Sequence, residues 1–328
     1  MNGTVVITGA NGSLALGFVE SFLQLYPHHT LIATVRNPSV SHDPNTAKLK
    51  ELVAKYPSHV SIETLDLGKL SSVRSFADSI SRRVSSAELP RISAVICNAA
   101  TLSLEAGQKF TPDGYEATFQ VCHLSHFLLI LKLVGSLDTT SGRIVMLGSV
   151  THYPEKPNPL SSLKPEIPDN WEHLVKPGPD PQGLVHDRGF QRYGTAKLAN
   201  VILANDLNRR FQADPKLSKI TALAMDPGGL PSSRAQAEQK KSTRRLFAVM
   251  NFLMPLLKHL TTAFRTTEDA GRDLVAVSLD PKFQGEGGYY VCQKQASPTA
   301  ISTDVEVQRG LWDSCCKWAG LSNEETML

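Results

Sequence analysis

The sequence predicts a doubly wound α/β fold, with one parallel sheet covered by helices on both faces. Three observations predict it. Short apolar runs alternate with amphipathic helical patterns from the N-terminus onward, and the first run ends in a glycine-bearing turn. No internal repeat or charge block marks a second domain, so residues 1–328 are expected to form a single unit. Strict alternation of this kind builds βαβ units whose strands are buried on both sides.

The elements follow in order. TVVITG, from Thr4, reads as a buried strand, and Leu14 to Tyr26 as a helix with one apolar face. TLIATVR is the second strand and Thr46 to Tyr56 the second helix. VSIETLD is the third strand and Ser72 to Val84 the third helix. ISAVICNA is the fourth strand, followed by a strongly apolar helix around Ala117 to Val134. GRIVMLGS is the fifth strand, Tyr193 to Phe211 a helix, KITALAMDPG the sixth strand, and GGYYVC near the C-terminus a seventh. The stretch from Pro154 to Gln191, rich in Pro, Asp, Lys and Gly, interrupts the alternation. Long connections are usually functional covers or disordered, and residues 154–192 are expected to be a lid-like insertion. The tail after Cys292 suggests nothing specific, and Cys315–Cys316 reads as a local helix or turn feature without a disulfide.

Composition narrows the function. Apolar residues make up 41% and charged residues 20%, ordinary for a soluble globular protein. The net charge of +3 is small and spread along the chain, so no nucleic-acid partner is expected. Five cysteines fit no zinc spacing, which predicts no metal and a reduced, intracellular setting. The opening MNGTVVITGANG enters a strand directly, without a signal-peptide pattern. No apolar run reaches the length of a membrane span, and a cytoplasmic location is expected.

The stretch VVITGANGSLALG is a strand, a turn and a helix start. Gly9 and Gly12 let the backbone bend sharply and approach a ligand. The bare N–H groups of the following helix suit a pyrophosphate. A tight turn that needs glycine only for its geometry is the plainer alternative. The second strand ends in Arg36, with no acidic residue at its tip. An acidic side chain there would hold a ribose 2′-hydroxyl, whereas arginine accommodates a 2′-phosphate. NADP(H) is therefore favoured over NAD, against the alternative that Arg36 is a solvated loop charge. FQRYGTAKLANVI places Tyr193 and Lys197 one helical turn apart, on the same face.

In this order, TGANGS, LDL, CNAA, the GS at Ser149, YGTAK and DPGG resemble the motifs of the short-chain dehydrogenase/reductase family. The resemblance runs from Gly3 to roughly Val291, closest to retinol-dehydrogenase-like and fungal secondary-metabolism members. It implies a Rossmann-type domain, a nicotinamide cofactor, and hydride transfer between a carbonyl and an alcohol carbon. Carried onto this chain, Thr8, Gly9, Asn11, Gly12, Ser13 and Leu14 would line the pyrophosphate turn. Arg36 would meet the 2′-phosphate. Asp66 would accept from the adenine amino group with Leu67 packed beside it, and Asn98 and Ala99 would pass under the ribose. Pro227 and Gly228 would run along the nicotinamide. Ser149, Tyr193 and Lys197 would be the catalytic set: Ser149 holds the substrate oxygen, Tyr193 gives the proton, and Lys197 stabilises the phenolate and holds the nicotinamide ribose.

The chain departs from the family pattern in places. Ser13 and Ala15 stand where further glycines are usual, and Gly17 comes two places late. Cys122 replaces the asparagine whose region helps hold a relay water beside the lysine; cysteine is a weak donor and supplies no amide. His123 and His126 read as core or capping residues. Between Ser149 and Tyr193 lie 44 residues of sequence distance, and this long connection should overlie the pocket, with Trp171 and Leu174 offering apolar contact. Residues 231–265 should supply substrate-side helices. Their stretch RRLFAVMNFLMPLLKHL is a core helix, a pocket wall or an interfacial membrane anchor, the first two favoured. The expected partner is an apolar small-molecule substrate, with peripheral membrane contact a lesser reading and a homo-oligomer left open. The expected activity is an NADP(H)-dependent ketone–alcohol oxidoreductase. A non-redox epimerase or cyclase, or a cofactor-binding sensor, is the alternative on the same fold.

Overall fold

The computed structural model describes residues 3–39, 43–56, 59–260, 263–322 and 325–328. Its strands are β1 (Thr4–Ile7), β2 (Thr30–Val35), β3 (Val60–Thr64), β4 (Ile92–Cys97), β5 (Arg143–Leu147), β6 (Thr221–Asp226), β7 (Gly288–Val291) and β8 (Lys294–Gln295). They form one sheet of order β3-β2-β1-β4-β5-β6-β7-β8. All neighbouring pairs run parallel except the terminal β7–β8 hairpin. The register is set where Val5 lies between Leu31 and Ala94. Central strands such as β1 and β5 are buried along their whole length, which is why they read as unbroken apolar runs.

Among the described residues, ten α-helical segments surround the sheet. They are α1 (Ser13–Leu25), α2 (Pro44–Ala54), α3 (Leu70–Ser85), α4 (Ala117–Phe119), α5 (Ser125–Leu133), α6 (Glu172–Val175), α7 (Val185–Ala213), α8 (Lys241–Leu260), α9 (Thr267–Leu279) and α10 (Val305–Ala319). Two hydrophobic clusters lie on opposite faces of the sheet. One gathers α1 and α9, with Phe18, Phe22 and Leu274 fully buried. The other gathers α3, α5, α7 and α10, with Phe127, Ile202 and Trp312. Fully burying one such side chain contributes roughly 1.5–3 kcal/mol.

Helices α1 and α9 touch backbone to backbone. A Cβ on Gly271 would lie 2.3 Å from the Gly17 carbonyl carbon, and one on Gly17 would lie 2.4 Å from the Thr267 oxygen. The late glycine of the first motif therefore serves helix packing. Thr266 caps α9 by accepting from the Asp269 N–H, with Glu268 and Asp269 favouring its positive end.

Several expectations change. Helix α7 begins at Val185, eight residues before Tyr193. The apolar helix around Ala117–Val134 is broken by a π turn at Gln120–Leu124 between α4 and α5. Contrary to expectation, Ala117–Ser136 is long and apolar enough to span a membrane, but 83% of it is buried inside the fold, as a core helix should be. The helices α9 and α10 and strand β8 had no counterpart in the sequence reading.

The insertion also behaves differently. It meets α7 at Gln191, Arg192 and Thr195, where Gln191 donates to the Lys164 carbonyl, Arg192 to Asp180, and Thr195 Oγ1 accepts from the Glu166 N–H, while Trp171 and Leu174 pack elsewhere. Trp171 packs on Gly310 of α10, where a Cβ would sit 2.5 Å from its ring. Leu174 is buried in the α5–α7–α10 cluster. Glu172 of α6 accepts from Lys317 and from the Trp318 indole, clasping α10. Of the 231–265 segment, residues 261 and 262 lie outside the described residues.

Candidate active site

The chain leaves β1 and β4 in opposite directions along the sheet, which opens a crevice at their C-terminal ends. The turn from β1 into α1 occupies it. Gly9 sits at φ 63°, in the left-handed region, and a Cβ there would meet the Ala99 Cβ at 2.9 Å. Glycine is required on both counts. A Cβ on Gly12 would meet the Gly9 oxygen at 3.1 Å. Gly12 is the N-cap of α1, and neither a capping side chain nor an acidic residue stands in its first turn. The N–H groups of Ser13 and Leu14 thus face a ligand site with the positive end of the helix behind them. This uncapped cradle fits a pyrophosphate.

The remaining cofactor-side residues brace that turn. Asn98 Nδ2 donates to the Thr8 and Gly9 carbonyls at 2.9 and 3.1 Å. The Ala99 N–H donates to Thr8 Oγ1 at 2.9 Å, and His126 Nε2 lies 2.9 Å from the same oxygen. Asn11 donates to Asp43 and Thr46. Arg36 is exposed at the tip of β2 and makes no ion pair among the described residues. Asp66 accepts from the Gly68 N–H at 3.0 Å, so one carboxylate oxygen caps a turn. Leu67 is buried in the core beside Asp66, and its carbonyl accepts from Ser125 Oγ. Gly228, at φ 79°, donates to Asp226, while Pro227 is half-buried beside it.

Tyr193 and Lys197 share one face of α7 as their spacing requires, with Lys197 Nζ 5.4 Å from the Tyr193 ring centre. Lys197 is buried, and its ammonium donates to the Leu147 carbonyl at 2.8 Å. Ser149 lies two residues beyond β5 and accepts from the Thr151 N–H at 3.2 Å, capping a 3-10 turn. A Cβ on Gly194 would sit 2.8 Å from the Thr151 oxygen. Glycine there lets the turn that carries Ser149 press against α7 next to Tyr193. The turn that carries Ser149 thus lies against the stretch of α7 that carries Tyr193 and Lys197.

Burial dominates the electrostatics. It pushes the Tyr193 hydroxyl above its ordinary pKa, with Cys122 and Asp226 adding to the rise. It pulls Lys197 down, opposed by the same two neighbours. Burial also raises the Asp226 carboxyl, which accepts from the Gly228 N–H and the Tyr289 hydroxyl. The lysine alone does not bring the phenol below its usual value here.

Cys122 is the centre of the π turn. Its sulfur accepts from the Thr101 N–H and donates to the Thr101 carbonyl at 3.4 and 3.3 Å, so it ties down the loop after β4. Its own carbonyl takes His126 Nδ1 at 3.2 Å. Sequence reasoning missed Asn200. Its Nδ2 donates to the Leu147 oxygen that also takes Lys197, and its Oδ1 accepts from His123. It lies one turn after Lys197 on the same face of the helix, which is the signal that could have found it. Also missed was Arg234, whose N–H donates to Ser13 Oγ and whose guanidinium lies 3.6 Å from Asp43. The start of the 231–265 segment therefore folds over the glycine turn. A separate cavity of about 320 Å³, lined by Gln108, Phe119, Leu174, Asp180, Arg192 and Thr195, lies on the opposite face of α7 from Tyr193. Ser149, Tyr193 and Lys197 are not among its lining residues.

Comparison with known proteins identifies the relatives of this chain. The family described as the AcuH dehydrogenase domain matches residues 236–328. The short-chain dehydrogenase iccH of Talaromyces variabilis is 32% identical, over 99% of this chain and 98% of that protein. The chloroplastic protochlorophyllide reductase A of Arabidopsis thaliana is 27% identical, over 98% and 77%. Among solved structures, the angucycline C-6 ketoreductase LanV with bound NADP is alike in fold, with a TM-score of 0.60 over 89% of this chain and 95% of that one, at 13% identity. This chain belongs to the short-chain dehydrogenase/reductase family of oxidoreductases.

Proposed function

We propose that the protein is an NADP(H)-dependent ketoreductase that interconverts a ketone and a secondary alcohol on an apolar small molecule of secondary metabolism. The observation that carries this reading is the placing of Tyr193 and Lys197 on one face of α7, against the turn that bears Ser149. The ketoreductase LanV, solved with NADP, and the fungal relative iccH support the cofactor and the setting.

Thr8, Gly9, Asn11, Gly12, Ser13 and Leu14 would hold the pyrophosphate, and Arg36 the 2′-phosphate. Asp66, Asn98 and Ala99 would border the adenosine, and Pro227 and Gly228 the nicotinamide. A bound reduced nicotinamide supplies hydride. The chain's own part is the proton. Burial keeps the Tyr193 hydroxyl protonated through the neutral range, the state a proton donor for a nascent alkoxide needs. Ser149 donates to the substrate oxygen and fixes it near that hydroxyl. Lys197 has one N–H committed to Leu147 and keeps two for the phenol side of the site and the nicotinamide ribose.

The test is Tyr193→Phe, assayed by loss of NADPH absorbance over a panel of carbonyl compounds. Loss of a general acid should lower turnover by roughly 10²–10⁴-fold, with NADPH affinity nearly unchanged. Full turnover in the variant removes Tyr193 as the acid. Substrate conversion without consumption of cofactor would favour the epimerase or cyclase reading, and binding without conversion the sensor.

A further inference from the structure

We infer that α8 is an interfacial helix that docks on the surface of an anionic lipid bilayer. Between residues 241 and 256 only Thr243, Phe247, Met250 and Met254 are partly or fully buried. Their spacing is that of one helical stripe, the one turned to the body. Away from it stand Leu246, Val249, Phe252, Leu253 and Leu256, exposed by 56, 56, 82, 42 and 62%. A row of large apolar side chains that faces nothing needs a partner.

Charge identifies that partner. Lys240, Lys241, Arg244 and Arg245 are exposed in and just before the first turn of the helix. None of them makes an ion pair among the described residues. At about 100° per residue, Lys241, Arg244 and Arg245 leave the same outer side as Phe252. From Gln239 to Thr267 the sequence has no Asp or Glu. A second copy of this chain would offer the same cations and nothing in this segment to neutralise them. An anionic headgroup layer over an apolar interior answers both halves of the helix. A helix of 20 residues is about 30 Å long. With basic residues at its start and Pro255 within it, it lies in the interface and does not cross it.

Vesicle co-sedimentation of the whole protein tests this. Wild type should pellet with phosphatidylcholine vesicles carrying about 30 mol% phosphatidylserine, and far less with phosphatidylcholine alone; basic residues near an anionic surface each add roughly fivefold to partitioning. Replacing all four cations (K240E, K241E, R244E, R245E) should weaken binding by at least about a hundredfold. Phe252→Asp should weaken it as well. Both variants should keep the wild-type circular dichroism and melting curve, since these side chains touch little of the body. No binding to the anionic vesicles overturns the proposal, as does binding that neither variant lowers. A wild-type dimer in sedimentation velocity that Phe252→Asp converts to monomer also overturns it, and assigns the face to a second copy.

Discussion

Replacing Gly9 by alanine tests the cradle most directly. Two costs can be read from the structure. Alanine at φ 63° costs about 1–2 kcal/mol for the left-handed backbone. The new Cβ would meet the Ala99 Cβ at 2.9 Å and its Cα at 3.0 Å. Relieving that overlap costs about 1–3 kcal/mol, giving a total of roughly 2–5 kcal/mol. If the turn holds its path, the cost appears as stability, a fall in Tm of at least about 3 °C. If the turn moves instead, NADPH binding weakens, about tenfold for each 1.4 kcal/mol. The assay is thermal melting together with NADPH titration by fluorescence. Gly114→Ala is the control. Its φ is 80°, but nothing stands within 4 Å of the new carbon, so only the backbone cost applies and cofactor affinity stays as it was. A Gly9→Ala protein that melts within about 1 °C of wild type and binds NADPH within about twofold refutes the reasoning, because both routes of relief would then be closed.

Arg36→Asp should shift preference from NADPH towards NADH, by roughly 10–100-fold in the ratio of affinities, the worth of one charge-assisted contact. An unchanged ratio retires the assignment of the 2′-phosphate to Arg36. Acid should destabilise the protein through its buried histidines. Burial lowers His123 to about 4, His126 to about 3 and His152 to about 4. A lowered folded value gives stability that is complete above the unfolded value near 6.5 and is lost as pH falls towards 4 and 3. His123 alone accounts for about 3 kcal/mol once the pH is below 4. Urea denaturation of wild type and His123→Asn between pH 7.5 and 4.5 reads this out; parallel profiles would contradict it.

Strand ends were legible because the apolar runs that form strands also fix where they stop. Gly9, Asn98, Ser149 and Pro227 each follow such a run, so the sheet delivers them to one edge. Tyr193 and Lys197 were legible because their relation is local. What stayed hidden depends on partners far away in the chain. Leu147 offers its carbonyl to both Lys197 and Asn200 only once β5 and α7 pack. Trp171 reads as an apolar residue near a pocket, but periodicity reports which side of an element is apolar and not which neighbour covers it; here α10 does, through Gly310. Arg234 crosses back over Ser13 from 221 residues away in sequence. The helix α10 left a signal that went unread: Asp304 caps its start, and Gly320 ends it at φ 62°.

The Gly17–Gly271 contact has a consequence for how the protein is made. The helix that offers its N-terminus to the cofactor leaves the ribosome some 250 residues before the helix that seats it. Until then Phe18 and Phe22 belong to a half-built layer, and contacts so distant in sequence form slowly. Cofactor capture thus waits for α9, and a nascent fragment stalled before that helix should not retain the dinucleotide.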